Sequence, residues 1–406
     1  MDIFDKCLRF TRASEARTAG LYPYFRAAEG CDGPVVAIGG RRIIMAGSNN
    51  YLGLTTDPRV TRAVMDAVGT YGTSCSGSRY MTGTIDLHNK LEARLARFLG
   101  YEDALVISTG YQTAQAIIPT LAQRGEYVIS DKDNHASIAS ANVMATGLGA
   151  RVLRYRPGDM GNLEEILASI PHEAPKLIVT DGVFSTTGTI ADLTGITRLA
   201  RRHNARVMCD DAHAVGVLGP GGRGTAAHFG LTAEVDVTMG TFSKSLASLG
   251  GFVAAPRAVI DYIRHMAPSL IFSASPTPAS AAAALAALDI IEAEPERIAR
   301  LHANAARVRQ GLETLGFRVF GHADTGIVSV LIGDEYTTIL FTKELFDAGI
   351  FVNPFVKPGV PEGREMIRTS YMSTHEDEHL DRVIEAFAVI GTRLGLIGGG
   401  AMAPAV

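Results

Sequence analysis

From about residue 100 onward, short apolar runs alternate with longer stretches in which apolar positions recur every three to four residues. The short runs predict strands at 104–107, 127–129, 151–155, 177–180, 205–209, 235–239 and 251–254. The longer stretches predict helices at 112–123, 136–146, 163–170 and 193–203. Strands that are apolar throughout suit a sheet covered on both faces. The pattern therefore predicts an α/β fold with a large, mostly parallel sheet. After Pro278 the pattern changes. Helices at 280–293, 295–315, 338–348 and 376–393, with strands at 317–320, 327–331, 351–353 and 366–370, predict a smaller C-terminal α+β unit. The expected organisation is an N-terminal arm over 1–45, a large domain over 46–285, a small domain over 286–398 and a frayed Gly/Ala/Pro-rich tail over 399–406.

Composition narrows the classes. The chain has 406 residues, 47% hydrophobic and 20% charged, with a net charge of −4. That is ordinary for a globular protein and excludes a collagen, a coiled coil or a disordered tail. No Lys/Arg block asks for a nucleic-acid partner. Cys7, Cys31, Cys75 and Cys209 are scattered, with neither a disulfide framework nor zinc spacing. Residues 1–12 are polar and charged, so no signal peptide is visible. The longest apolar run, 281–288, is far below the ~20 residues of a membrane span. A reduced, cytoplasmic protein is expected.

In open α/β sheets, ligands bind at the carboxyl ends of the strands. Successive strand ends here carry Ser108-Thr109-Gly110-Tyr111, Asp133-Asn134-His135, Asp181-Gly182-Val183-Phe184-Ser185, Asp210-Asp211-Ala212-His213 and Gly240-Thr241-Phe242-Ser243-Lys244. Gly110 opens a helix, and a helix N-terminus suits a phosphate, with Thr241 and Ser243 as further hydroxyl donors; a plain turn is the alternative. The chain has seven lysines, at 6, 90, 132, 176, 244, 343 and 357. Lys244 lies between two predicted central strands, where an amine is costly unless used, and such a lysine can form a Schiff base. A surface loop lysine is the alternative. Asp210 ends a strand buried on both faces and needs a cationic or donor partner, which a protonated pyridine nitrogen would supply. A lysine Schiff base with an acidic partner for the ring nitrogen is the requirement of pyridoxal phosphate (PLP). His213 could bond the ring hydroxyl, and His135 could stack on the ring or shuttle a proton.

Two motifs carry less weight. Gly219-Pro220-Gly221-Gly222-Arg223-Gly224 matches G-x-G-x-x-G but does not bridge a strand directly into a clear helix. His375-Glu376-Asp377-Glu378-His379 matches H-E-x-x-H, yet Ser373 or Thr374 before it reads as a helix N-cap. The Arg-rich stretch at 295–315 reads as a solvated helix face.

Thr241-Phe242-Ser243-Lys244-Ser245, Asp210-Asp211-Ala212-His213 and Asn134-His135-Ala136-Ser137-Ile138 together resemble the α-oxoamine synthases, fold-type I PLP enzymes related to aspartate aminotransferase. The resemblance runs from about residue 22 to 396. Gly47-Ser48-Asn49-Asn50-Tyr51, Gly77-Ser78-Arg79, the run 236–251 and Ile271-Phe272-Ser273-Ala274-Ser275 look most like the bacterial serine palmitoyltransferases. The resemblance implies that Lys244 carries PLP and then acts as base at Cα. It implies that Asp210 keeps the pyridine nitrogen protonated and that His213 bonds the ring hydroxyl. His135 would stack on the ring and orient the substrate carboxylate. Gly110 and Tyr111 would contact the phosphate or ring edge, with Thr241, Ser243 and Ser185 near the cofactor. Ser273 would reach the phosphate from a neighbouring subunit of a homodimer. Asn49 and Arg368 would bind the amino acid, Arg368 matching the carboxylate-binding arginine.

The implied reaction joins a small amino acid to an acyl-CoA, or an acyl carrier protein thioester, with loss of CO₂. Gly359 stands where glycine- and alanine-using members usually carry Thr, which leans towards serine. Val356, with Lys357 beside it, stands where some single-chain serine palmitoyltransferases carry Arg. Serine with a long acyl-CoA is the first reading. A glycine C-acetyltransferase or an alanine- or glycine-using synthase remains open. A PLP aminotransferase or lyase would share Lys244 and Asp210 without needing a thioester. A long-chain product is compatible with peripheral contact with a membrane.

Overall fold

The protein is described by a computed structural model that covers residues 2–398. The tail over 399–406 lies outside the described residues. Contacts divide the chain into two compact units, one of Met1–Ser48, Asn304–Gly321 and Ile327–Val406, the other of Asn49–Ala303 and His322–Gly326.

The larger unit is built on seven strands: β1 (Asp103–Ile107), β2 (Tyr127–Asp131), β3 (Arg151–Tyr155), β4 (Lys176–Asp181), β5 (Arg206–Asp210), β6 (Val237–Thr241) and β7 (Gly251–Ala255). Their order is β1-β7-β6-β5-β4-β2-β3. Neighbours from β6 to β3 run parallel, while β7 is antiparallel to both β1 and β6. The expected α/β fold with a mostly parallel sheet is therefore present.

Alternate strand residues feed two cores. Val128, Leu177, Val179, Met208 and Met239 pack with helices α1 (Gly110–Leu121) and α2 (Ala136–Gly147). Ile129, Ile178, Val207 and Cys209 pack on the other face with Leu193, Ile196 and Leu199 of helix Leu193–Arg202. Burial on both faces is why these strands read as unbroken apolar runs.

Two helices of this unit, Pro58–Tyr71 and Asp86–Leu99, lie outside the stretches the pattern picked out. The first has its own start signal: Asp57 caps it by accepting the N–H of Arg59, with Pro58 in the first turn. It packs on helix Pro278–Ala293, within which the expected division at 285/286 falls.

In the smaller unit, Gly30–Asp32, Val35–Ile38, Arg41–Met45 and Ile350–Phe351 form one sheet. Residues expected as an arm thus supply three strands, with Ile44 and Met45 paired to Ile350 and Phe351. A second sheet has the order Val319–Phe320, Ile327–Leu331, Met366–Ser370 and Asn353–Phe355. The strand expected at 351–353 is split at Val352 between the two sheets. The arginine-rich stretch forms helix Glu296–Thr314; its Arg307 pairs with exposed Asp377 and Asp381, as a solvated face should.

One ion pair locks β1 where α1 begins. Arg79 and Glu92 lie 2.8 Å apart with side chains 7% and 8% exposed. Glu92 also accepts the N–H of Val106 at 2.9 Å. Glu92→Ala leaves a buried guanidinium without its counter-ion and should cost about 3–5 kcal/mol. Chemical denaturation checks this; a loss below about 1 kcal/mol would contradict the account.

Candidate active site

The carboxyl ends of β2, β4, β5 and β6 and the start of α1 enclose a cavity of about 290 Å³. Its wall includes Gly110, Tyr111, His135, Asp181, Asp210, His213, Thr241, Ser243 and Lys244. Apart from Asp181, these are residues expected from the sequence, and they come together. Ser185 does not line the cavity; Val183, two positions earlier, does. Ser273 is likewise absent from the wall, and its hydroxyl donates to the Ala274 carbonyl at 3.4 Å. Arg368 belongs to the smaller unit, on strand Met366–Ser370, and is 3% exposed.

The phosphate-type corner is made by close approach. Thr109 caps α1, its hydroxyl accepting the N–H of Gln112. A Cβ at Gly110 would lie 2.7 Å from Thr241 Oγ1, so only glycine lets α1 begin against β6. Thr241 Oγ1 in turn hydrogen-bonds Ser243 Oγ at 2.9 Å. Hydroxyls and the first N–H groups of a helix thereby face one corner, a ready anion site.

The opposite end is acidic. Asp210 is 4% exposed and accepts the N–H of Ala212 at 2.9 Å. Burial pushes its carboxyl pKa up, while that hydrogen bond, Lys244 and His135 oppose the rise. The turn after it is held from behind by Asp211, which accepts the N–H of Thr225 at 2.9 Å. Asp211 sits so close to the backbone of Gly182 and Gly224 that a Cβ at either would meet its carboxyl oxygens. Burial lifts Asp211 to about 6. The G-x-G-x-x-G stretch thus forms a tight turn, Pro220–Gly222, leading to the loop that braces β5. It does not join a strand to a helix in the dinucleotide manner.

Both histidines are positioned by side-chain bridges. Asn134 Nδ2 donates to the Val179 carbonyl at 2.8 Å, and Asn134 Oδ1 accepts the N–H of Asp181 at 2.8 Å. This fixes the loop that carries His135, whose ring lies 6.4 Å from that of Tyr111, edge to face. Loss of hydration at the wall lowers the His135 pKa, with Asp210 opposing and Lys244 adding to the shift. His213 shares a 2.7 Å hydrogen bond with Tyr51, whose hydroxyl also reaches Asn49 Oδ1 at 3.4 Å. Asn49 therefore connects to the site through Tyr51. Tyr51 and Asp181 join the site beyond the residues expected from the sequence; the signal for Asp181 is its place at a buried strand end beside Asp210.

The H-E-x-x-H stretch is structural. His375 Nδ1 accepts the N–H of Met372 at 2.9 Å, and burial holds the ring down to about 4. His379 accepts the N–H of Glu376 at 3.1 Å, so helix Asp377–Arg393 is capped at Glu376 rather than at Ser373 or Thr374. Among the described residues no group of three His, Cys, Asp or Glu could hold a metal ion.

Comparison with known proteins bears on this arrangement. A family model described as aminotransferase class I and II matches residues 41–387. The serine palmitoyltransferase of Sphingobacterium spiritivorum is 44% identical over 381 residues, 94% of each chain. The 8-amino-7-oxononanoate synthase of Geobacter sulfurreducens is 42% identical over 386 residues, 94% of this chain and 97% of that one. The structure of serine palmitoyltransferase from S. paucimobilis with a bound PLP–myriocin aldimine superposes with a TM-score of 0.93. It is 33% identical, covering 98% of this chain and 100% of that one.

Tyr51→Phe removes the hydrogen bond to His213 while keeping the ring. At about 1 kcal/mol for a net hydrogen bond, the cavity's ligand should bind roughly fivefold more weakly with folding intact. Titration with PLP checks it; unchanged affinity would show that Tyr51 does not set His213.

Proposed function

This chain belongs to the aminotransferase class I and II family, and we propose that it joins L-serine to a long-chain acyl thioester, the first step of sphingolipid synthesis. Within that family it is an α-oxoamine synthase, a PLP-dependent acyltransferase. The balanced reaction gives 3-ketosphinganine, CO₂ and the free thiol of CoA or a carrier protein. The observation that carries the reading is one cavity holding Lys244, the buried carboxylate of Asp210 and a hydroxyl-lined helix N-terminus. A buried carboxylate needs a cation, and an anion corner needs a phosphate, so the residues fit PLP at both ends.

When bound, PLP supplies an electron sink for the negative charge that develops at Cα of the amino acid. Gly110 and Tyr111, with Thr241 and Ser243, would hold its phosphate. Asp210 would keep the ring nitrogen protonated, and His213, set by Tyr51, would bond the ring hydroxyl. Lys244 would tether the cofactor and then move the Cα proton. His135 would cover the ring and, with Asn49 and Arg368, orient the substrate carboxylate. Ser185 would lie at the periphery of the cofactor. Ser273 of a second copy would complete the phosphate corner, which makes the active species a homodimer. Among the described residues no helix is long and apolar enough to cross a membrane. A cytoplasmic enzyme with peripheral membrane contact fits the product's chemistry.

A second reading has support of its own. Relatives named 8-amino-7-oxononanoate synthase are 41–43% identical, almost as similar as those named serine palmitoyltransferase at 42–44%. The absence of Thr at Gly359 favours serine over the alanine-using alternative.

A panel of L-serine, glycine and L-alanine against acyl-CoA and carrier-protein thioesters of increasing length, scored for thiol and CO₂, decides between them. L-serine with a long acyl-CoA should give the highest kcat/KM; a roughly tenfold preference for alanine or glycine would refute the assignment. Arg368→Ala should raise KM for the amino acid about tenfold or more while PLP is retained, since one charge-assisted contact is lost. Equal loss of both would place Arg368 elsewhere.

A further inference from the structure

The site holds two carboxyl groups, and the proposed reaction uses one. Asp181 ends β4 and pairs in register with Asp210 at the end of β5. Both line the cavity and both are 4% exposed. Around Asp181 stand Asp131 on β2, Cys209 and Asp210 on β5, His135 ahead of α2, and Lys244 after β6. Lys244 is the lysine on this wall, and no arginine lines it. Two adjacent buried carboxylates cannot both ionise at low cost.

The hydrogen bonds separate their duties. Asp181 Oδ1 accepts the backbone N–H of His135 at 3.3 Å, tying the acid to the loop that carries that histidine. Asp210 accepts the N–H of Ala212 and is the carboxylate suited to a ring nitrogen. Resting on the reading of this cavity as a PLP site, we propose that Asp181 works as a protonated carboxylic acid that positions His135. The single negative charge of the pair then stays on Asp210. Burial first, and the charge of Asp210 second, push Asp181 well above the usual carboxylate range, although the His135 N–H and Lys244 oppose the rise. A neutral acid can keep its hydrogen-bonding role without repelling Asp210, as other enzymes do with buried carboxyls.

Infrared difference spectra of wild type against Asp181→Asn test this, with Asp181→Ser as a second variant. At neutral pH wild type should show the C=O stretch of a protonated carboxyl, and both variants should lack it. PLP affinity supplies a separate readout. Asp181→Ala should bind PLP about tenfold more weakly, and Asp181→Asn should restore binding to within about threefold, because it is neutral and similar in shape. A wild type without the band, or Asn as poor as Ala, would overturn the proposal. A protein that takes up no PLP at all would instead refute the proposed function, and the infrared band of the cofactor-free protein would still decide the state of Asp181.

Discussion

A carboxylate buried at the end of a central strand is the constraint around which the larger unit is arranged. Asp210 has 4% exposure, and its burial alone makes the ionised form costly. Such a charge is tolerated where a cation is held opposite it. The same cavity offers Lys244 and two histidines, and at its far corner the start of α1. The spacing between acid, amine and anion corner comes from the sheet: β4, β5 and β6 are hydrogen-bonded neighbours, so their ends lie in one row.

Much of the apparatus is bracing. Asp211, Thr225 and the glycine-rich turn hold β5 from behind, and Asn134 ties β2 to β4 so that His135 stands at the cavity. Glycines at 110, 182 and 224 are required by contact, since a Cβ at each would strike a neighbouring side chain. These contacts are made between elements distant in sequence, so substitutions there would move groups that never touch a ligand.

The sheet and most of the cavity were legible in the chain because each strand announces itself as an apolar run and ends in a polar cluster. Gly110, His135, Asp210, His213, Thr241, Ser243 and Lys244 are such cluster residues. What was not legible depends on tertiary pairing. Residues before 46 read as an arm because their strands are only three to five residues long, and the pairing that ties them to the rest of the sheet, Ile44 and Met45 with Ile350 and Phe351, is made some 300 positions later. The stretch 351–353 reads as one strand because periodicity cannot show that Val352 passes between two sheets. Tyr51 carries no local sign of its bond to His213, 162 residues away. Asp181 looked like one acid among several until register set it beside Asp210.

The central claim is covalent attachment of PLP to one amine facing that aspartate. Reduction of the yellow holoenzyme with borohydride, followed by peptide mapping, tests it directly. A pyridoxyl group should appear on Lys244 and on none of the other six lysines. A label on any other lysine, or a protein that incorporates none, would contradict it.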